Sequence, residues 1–150
     1  MRFTLKQFLP ALLLLMFLTV AAQAQLTAKK QVYEPNQLMS PADLLKSYKN
    51  SKAGKPLVYN IGFVGNIQGA KKIGAASKEE GLKQLMQEVR TLPKSTPIVV
   101  YCGCCPFEHC PNVRPAYTML QQLGFRKTRI LDLPTSIKAD WIDKGYPMEK

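Results

Sequence analysis

The most informative absence in this 150-residue sequence is cysteine outside one short segment, residues 102–110. All four cysteines of the chain fall within that segment. A disulfide stabilises a fold most when it closes a long loop, because it then restricts the unfolded chain most. Bridges confined to one short segment would close only very short loops. The distribution excludes a disulfide framework between distant segments and favours a chemical role for the cysteines.

A second absence is any run of basic residues, or any interleaving of basic with aromatic residues. The formal net charge of +11 comes from 21 lysines and arginines against 10 acidic residues. The lysines stand singly or in pairs, as at Lys29-Lys30 and Lys71-Lys72. A dispersed positive charge keeps a protein soluble and attracts small anions. We therefore expect no nucleic-acid partner.

A third absence is an apolar run long enough to span a membrane, which needs about 20 residues. The run from Phe8 to Val20 is shorter, follows Arg2 and Lys6, and precedes Ala22-Gln23-Ala24. A short positive region, an apolar stretch and a small-x-small site are the pattern of a secretory signal peptide. We expect residues 1–24 to be cleaved, leaving no stable membrane anchor. The mature protein is then expected to be periplasmic or secreted from a bacterium.

Repeats, long linkers and low-complexity tracts are absent too, which indicates a single domain. Apolar runs at LVYNIGF, PIVVY and Arg129–Leu133 predict buried strands. Because helical patterns separate these runs, the sequence predicts crossover connections and a parallel sheet covered on both faces. We expect an α/β domain at residues 39–150, preceded by an N-terminal arm at residues 25–38.

The helical patterns have recognisable starts. One begins at Ser40-Pro41 and another near Arg114-Pro115, with a proline suited to the first turn in each case. Between them, Ser77 to Glu80 reads as a capping box. It is followed at helical spacing by an apolar stripe that we expect to be buried, made of Leu82, Leu85, Met86 and Val89.

Cys102 occupies the position where such a domain places its chemistry. It follows the strand PIVVY directly, and ligands of parallel sheets bind beyond the carboxyl ends of the strands. The loop after it runs into a helix N-terminus, where backbone amides hold anions and lower the pKa of a thiol. We therefore predict that Cys102 is a nucleophile. The Gly103 end of the loop and Arg114 are candidate anion-binding elements.

The order of motifs along the chain is also informative. It reads SPADLL, GKPLVYNIG, GNIQGAKKIG, PIVVYC, LQQLGF, ILDL and WIDKGYP. The most specific pieces are Tyr101-Cys102, the helix end Leu123-Gly124-Phe125, and Trp141 followed by Gly145-Tyr146-Pro147. This order resembles that of the rhodanese-like sulfurtransferase family over residues 39–148. The resemblance implies a rhodanese-like three-layer α/β/α fold with a central parallel sheet.

The resemblance also implies a reaction. The Cys102 thiolate would attack the outer sulfur of a donor such as thiosulfate, expel sulfite and hold the sulfur as a persulfide. Cyanide or a thiol would then remove that sulfur. The partners would be a small sulfur-containing anion and a thiol acceptor, and no cofactor is implied.

Several positions depart from the family pattern. The family's Asp-x-Arg is Asn60-Ile61-Gly62 here, and its histidine is Asn66. The loop after the cysteine is longer than usual. Related phosphatases of this fold hold phosphate with Cys-x5-Arg, but the matching residues here are Phe107 and Glu108. The sequence therefore disfavours phosphatase activity.

Three explanations of the additional cysteines remain open at this stage. One of Cys104, Cys105 and Cys110 could be a resolving thiol that attacks a Cys102 persulfide or disulfide. A local disulfide could instead shape the loop. Alternatively the segment could bind a soft metal ion such as Zn²⁺ or Cu(I). The candidate metal ligands are Cys102, Cys104, Cys105, His109 and Cys110.

Overall fold

The computed structural model describes residues 32–49 and 54–150. The predicted signal peptide falls in the first 31 residues and so lies outside the described part of the chain. Within the described ranges, no helix is both long enough and apolar enough to cross a membrane.

Strands occur at the three predicted apolar runs and helices between them, and two further short strands were not predicted. The strands are β1 (Leu38–Met39), β2 (Leu57–Asn60), β3 (Lys71–Lys72), β4 (Ile98–Tyr101) and β5 (Thr128–Leu131). The helices are α1 (Pro41–Lys49), α2 (Glu79–Val89), α3 (Val113–Gln122) and α4 (Ile137–Asp140). Single turns of 3-10 helix lie at Pro35–Gln37, Phe107–His109 and Ile142–Lys144.

The five strands form one sheet in the order β1-β5-β4-β2-β3, and every pair is parallel. Strand β4 lies in the middle, with Val99 opposite Val58 on one side and Arg129 on the other. The predicted parallel sheet is confirmed. Its central strand is the one that leads into the cysteine segment.

Alternation along β4 shows how both faces of the sheet are covered. Ile98 and Val100 belong to one buried cluster and Val99 and Tyr101 to another. The first cluster contains apolar residues of α2 and α3, and the second contains residues of α1 and α4. Each large aliphatic side chain that is fully buried contributes about 1.5–3 kcal/mol. Helices therefore pack on both faces, as expected for a parallel sheet.

Two local predictions about α2 are wrong. The helix starts at Glu79 after Lys78, and no side chain caps it, so Ser77 stands one residue too early for the predicted capping box. The backbone N–H of Ser77 instead donates a hydrogen bond to the side chain of Asn112, which stands just before α3. In the apolar stripe, Leu85 and Val89 are buried but Met86 is 44 % exposed, because it projects from the flank of the stripe.

The end of the predicted N-terminal arm is attached to the domain. The ring of Tyr33 packs against those of Phe107 and Tyr117, with centroids 5.9 Å and 6.0 Å away. The Gln37 side-chain amide donates a hydrogen bond to the Tyr117 hydroxyl at 3.0 Å. Strand β1 then pairs with β5 at the sheet edge. Because Phe107 belongs to the cysteine segment, the contact with Tyr33 attaches the residues before β1 to that segment.

Candidate functional site

Cys102 lies at the carboxyl end of the central strand and is only 2 % exposed. The segment that follows β2 approaches the Cys102 sulfur closely. A Cβ atom placed on Gly62 would lie 2.6 Å from the Cys102 sulfur and 3.2 Å from its carbonyl oxygen. Such a distance is far shorter than any ordinary contact. Gly62 therefore makes room for the sulfur at the position where the family motif would place an arginine.

Hydrogen-bond donors surround the Cys102 sulfur. The Asn112 side-chain amide donates to it at 3.2 Å, and the Cys104 sulfur lies 3.2 Å away. The Cys110 sulfur lies within 4.8 Å of it as well, and the Cys110 thiol and the Cys104 backbone N–H both act to lower the Cys102 pKa. Donors aimed at one atom stabilise negative charge there, so the arrangement favours a thiolate on Cys102.

The pKa of Cys102 is lowered accordingly, from 9.0 to about 5. The hydrogen bond from the Cys110 thiol is the largest cause, and those from Cys104 and Asn112 add to it. Burial acts in the opposite direction, since desolvation disfavours the charged form, but the donors outweigh it. The lowered pKa favours the thiolate form of Cys102, which is the nucleophilic form.

The two thiols that donate to Cys102 remain protonated. Burial of its sulfur and contact with the Cys102 sulfur raise the pKa of Cys104 to about 12. Donation to Cys102 raises the pKa of Cys110 further, and burial acts in the same direction. One negative charge is thus shared by three sulfur atoms and centred on Cys102.

Asn112 is a site residue that the sequence analysis missed. It is 4 % exposed and stands immediately before α3. Its amide nitrogen donates to Cys102, while its oxygen accepts the Ser77 N–H at 2.9 Å. The second contact fixes which atom of the amide faces the sulfur. Its place at the helix start, where asparagine is a common cap, was the available signal.

Asn60 shapes the loop that brings Gly62 to the sulfur. It is fully buried, and its side-chain oxygen accepts the Gly62 N–H at 3.0 Å. Its amide nitrogen donates to the Val64 carbonyl and to the Asn66 side chain, both at 2.9 Å. The sequence analysis treated Asn60 and Asn66 only as departures from a family motif. In the structure they bond to each other and support the loop.

Gly103 has a structural constraint of its own. Its φ of 72° lies in the left-handed region that favours glycine, and an added Cβ would lie 2.7 Å from the Ile137 side chain. Its carbonyl accepts the Ile137 N–H at 2.9 Å. Gly103 therefore seats the start of the loop against α4. The loop amide that reaches the Cys102 sulfur is that of Cys104.

The remaining predicted site residues lie farther out. Arg114 is exposed in the first turn of α3, where its charge acts on the Tyr33 hydroxyl. His109 is exposed at the end of a 3-10 turn. Cys105 is half-buried, with its sulfur 3.4 Å from that of Cys104. The predicted residues brought closest together are thus Cys102, Cys104 and Cys110.

These three sulfur atoms all lie within 4.8 Å of one another. Such a group is compact enough for one soft ion, because thiolates select Cu(I) and Zn²⁺. Cys105 and His109, which the sequence analysis added to the alternative metal set, do not belong to this group among the described residues.

A cavity of about 440 Å³ lies away from Cys102. Its lining includes Pro97, Ile98, Thr128 and Arg129, at the starts of β4 and β5. Cys102 follows the opposite end of β4. Of the three clustered thiols, only Cys104 is exposed. Cys104 therefore contacts both solvent and the Cys102 sulfur.

The lowered pKa predicts a specific pH profile for alkylation of Cys102 by neutral iodoacetamide. The rate should be flat above about pH 6 and fall about tenfold per pH unit below pH 5, because only the thiolate reacts. Peptide mass spectrometry of the quenched reaction would measure it. A rate that keeps rising towards pH 9 would show an ordinary thiol instead.

No protein-family model and no curated protein matches the chain. Its function must therefore be inferred from the geometry of the Cys102 site and from the motif order along the sequence.

Proposed function

We propose that the protein is an exported, rhodanese-like sulfurtransferase with Cys102 as its persulfide-forming nucleophile. One observation carries the proposal above all others. The Cys102 sulfur lies at the carboxyl end of the central parallel strand, accepts a hydrogen bond from the Asn112 amide and has two further thiols within 4.8 Å. A nucleophilic cysteine needs such a stabilised anion.

The fold supports the family named in the proposal. A parallel sheet with helices packed on both faces is the architecture that the rhodanese resemblance implies. The cysteine follows the middle strand, and ligands of such sheets bind at that end. The motif order from residue 39 to residue 148 is the more specific support for the family, since parallel α/β sheets host many functions.

The proposed reaction starts with attack of the Cys102 thiolate on the outer sulfur of thiosulfate. A bond forms between that sulfur and Cys102 Sγ, the bond to the sulfonate sulfur breaks, and sulfite leaves with the electron pair. The persulfide formed carries one negative charge, as the thiolate did. The Asn112 amide and the Cys104 N–H would then stabilise this charge, in the manner of an oxyanion hole.

Loading of the metal-free, fully reduced protein with thiosulfate tests the proposal. We expect one sulfite released per chain and a change of mass on the peptide that contains Cys102: a gain of one sulfur where the persulfide persists, or a loss of two hydrogen atoms where a neighbouring thiol has resolved it. Sulfite can be measured with a colorimetric reagent and the adduct by mass spectrometry. Absence of both sulfite and any change in mass would reject the sulfurtransferase proposal.

A second candidate function is binding of a soft metal ion by the same thiols, which the 4.8 Å cluster of three sulfurs favours. Titration of the reduced protein with Cu(I) or Zn²⁺ distinguishes it. Stoichiometric binding without any sulfite release from thiosulfate would favour the metal site over the enzyme.

A further inference from the structure

The structure raises the question of how sulfur leaves a cysteine that is 2 % exposed. Thiosulfate must reach this sulfur to load it, but the transferred sulfur can be released by a thiol that already lies inside the site. Inside the site, the Cys104 sulfur is already 3.2 Å away. A disulfide bond is about 2.05 Å long. The two sulfur atoms need therefore approach by only about 1 Å to bond.

The neighbouring thiols differ in their suitability as an internal acceptor. Cys110 is 5 % exposed and packs in the core cluster with Phe107 and Val113, so a disulfide at that position would be shielded from any reductant. Cys105 is nearest to Cys104 rather than to Cys102. Cys104 is the exposed thiol that also contacts the Cys102 sulfur. It alone combines proximity with access.

We propose that Cys104 is the resolving thiol, which attacks a Cys102 persulfide and releases hydrosulfide. Cys110 stays reduced in the core cluster, within 4.8 Å of the Cys102 sulfur. This inference rests on the proposed function, because it requires the persulfide. It makes the protein a converter of sulfane sulfur to hydrosulfide rather than a carrier that waits for an external acceptor.

Atoms and electrons balance in this step. The Cys104 thiol first gives its proton to the charged outer sulfur of the persulfide, and the thiolate so formed bonds to Cys102 Sγ. The bond between Cys102 Sγ and the outer sulfur breaks, and the outer sulfur leaves with that electron pair as HS⁻. The two cysteine thiols are oxidised to a disulfide, and the sulfane sulfur is reduced to the level of sulfide.

The disulfide must then be reduced for a second turnover. The co-reactant is a dithiol, which reduces the Cys102–Cys104 bond by exchange and is itself oxidised to a disulfide. Exposure of Cys104 gives such a dithiol a sulfur to attack. The proposed reaction therefore depends on one reaction that supplies sulfane sulfur and on another that regenerates the dithiol reductant.

A single-turnover experiment under anaerobic conditions tests the assignment. Full-length protein is reduced, freed of reductant and treated with thiosulfate, and sulfite, hydrosulfide and intact mass are then measured. For the wild-type protein we expect one sulfite and one hydrosulfide per chain and a mass lower by two hydrogen atoms. Omission of thiosulfate controls for simple oxidation.

The informative variant is Cys104→Ser, whose hydroxyl retains a hydrogen-bond donor beside Cys102. We expect it to release sulfite, to retain one added sulfur and to release no hydrosulfide. The matched control is Cys105→Ser, which removes the adjacent thiol and should behave as the wild type. Addition of dithiothreitol should restore turnover in the wild type and in the Cys105 variant.

The outcomes separate this inference from the proposed function. If the wild type releases sulfite but keeps the added sulfur, the persulfide chemistry stands and the resolving role of Cys104 is overturned. Hydrosulfide release by Cys104→Ser would assign resolution to another thiol. If neither protein releases sulfite, the proposed function itself fails, and this inference fails with it.

Discussion

Replacement of Cys102 by serine is expected to abolish sulfite release from thiosulfate, by at least ~10³-fold, because a hydroxyl is a poor nucleophile at neutral pH. The donors around the sulfur cannot compensate. They lower the pKa of a thiol to about 5, whereas a serine hydroxyl starts many units higher and stays protonated. The measurement is sulfite released per chain over time at pH 7, together with the intact mass after the reaction.

Cys105→Ser is the matched control for this substitution, since it removes a thiol from the same loop. Its sulfite release should stay within about twofold of the wild type, because the Cys105 sulfur contacts that of Cys104 rather than that of Cys102. Both variants should show wild-type circular dichroism. Sulfite release that survives in Cys102→Ser would place the nucleophile elsewhere and refute the assignment.

The substitution Gly62→Ala is expected to disable the site without touching a cysteine. The added methyl group would meet the Cys102 sulfur at 2.6 Å and the Cys102 backbone at 3.2 and 3.3 Å, so the sulfur must move. Movement lengthens the 3.2 Å contacts with Asn112 and Cys104 that stabilise the thiolate. We expect iodoacetamide alkylation at pH 6 to slow by about tenfold or more.

The added methyl group of Gly62→Ala should also lower the free energy of unfolding by about 1–3 kcal/mol, because it overpacks the site. Gly65→Ala serves as the control from the same loop, because its methyl group would meet only the flexible end of Met148, at 3.2 Å. That variant should lose less than about 1 kcal/mol and alkylate as the wild type does. Equal effects of the two substitutions would indicate general damage to the loop and contradict a specific role for Gly62.

The position of the proposed nucleophile at the end of a strand could be predicted because it depends on local pattern. A short apolar run followed by a cysteine marks the carboxyl end of a buried strand, and in a parallel sheet that end carries the chemistry. The structure places Cys102 there, after the central strand. Two details of α2 were predicted less well. Ser77 does not cap the helix, and Met86 is exposed although its spacing fits the buried stripe.

The partners of that nucleophile could not be predicted from spacing. Cys104, Cys105 and Cys110 are all close to Cys102 in sequence, and nothing in the sequence says which side chains point towards it. In a loop of irregular backbone, side-chain direction follows no period. The structure separates them through burial and distance. Cys110 is buried in the core, the exposed Cys104 contacts the Cys102 sulfur, and Cys105 contacts Cys104.

By itself the sequence determined that the chain forms parallel strands separated by helices and that Cys102 ends a buried strand, because strand and helix periodicities are local. Only the tertiary structure decided that Gly62 and Asn112 meet the sulfur. These residues lie on segments that approach Cys102 through sheet pairing and helix packing. The pKa of a thiol depends on the atoms within a few ångströms of it. That neighbourhood is assembled from three separate parts of the chain.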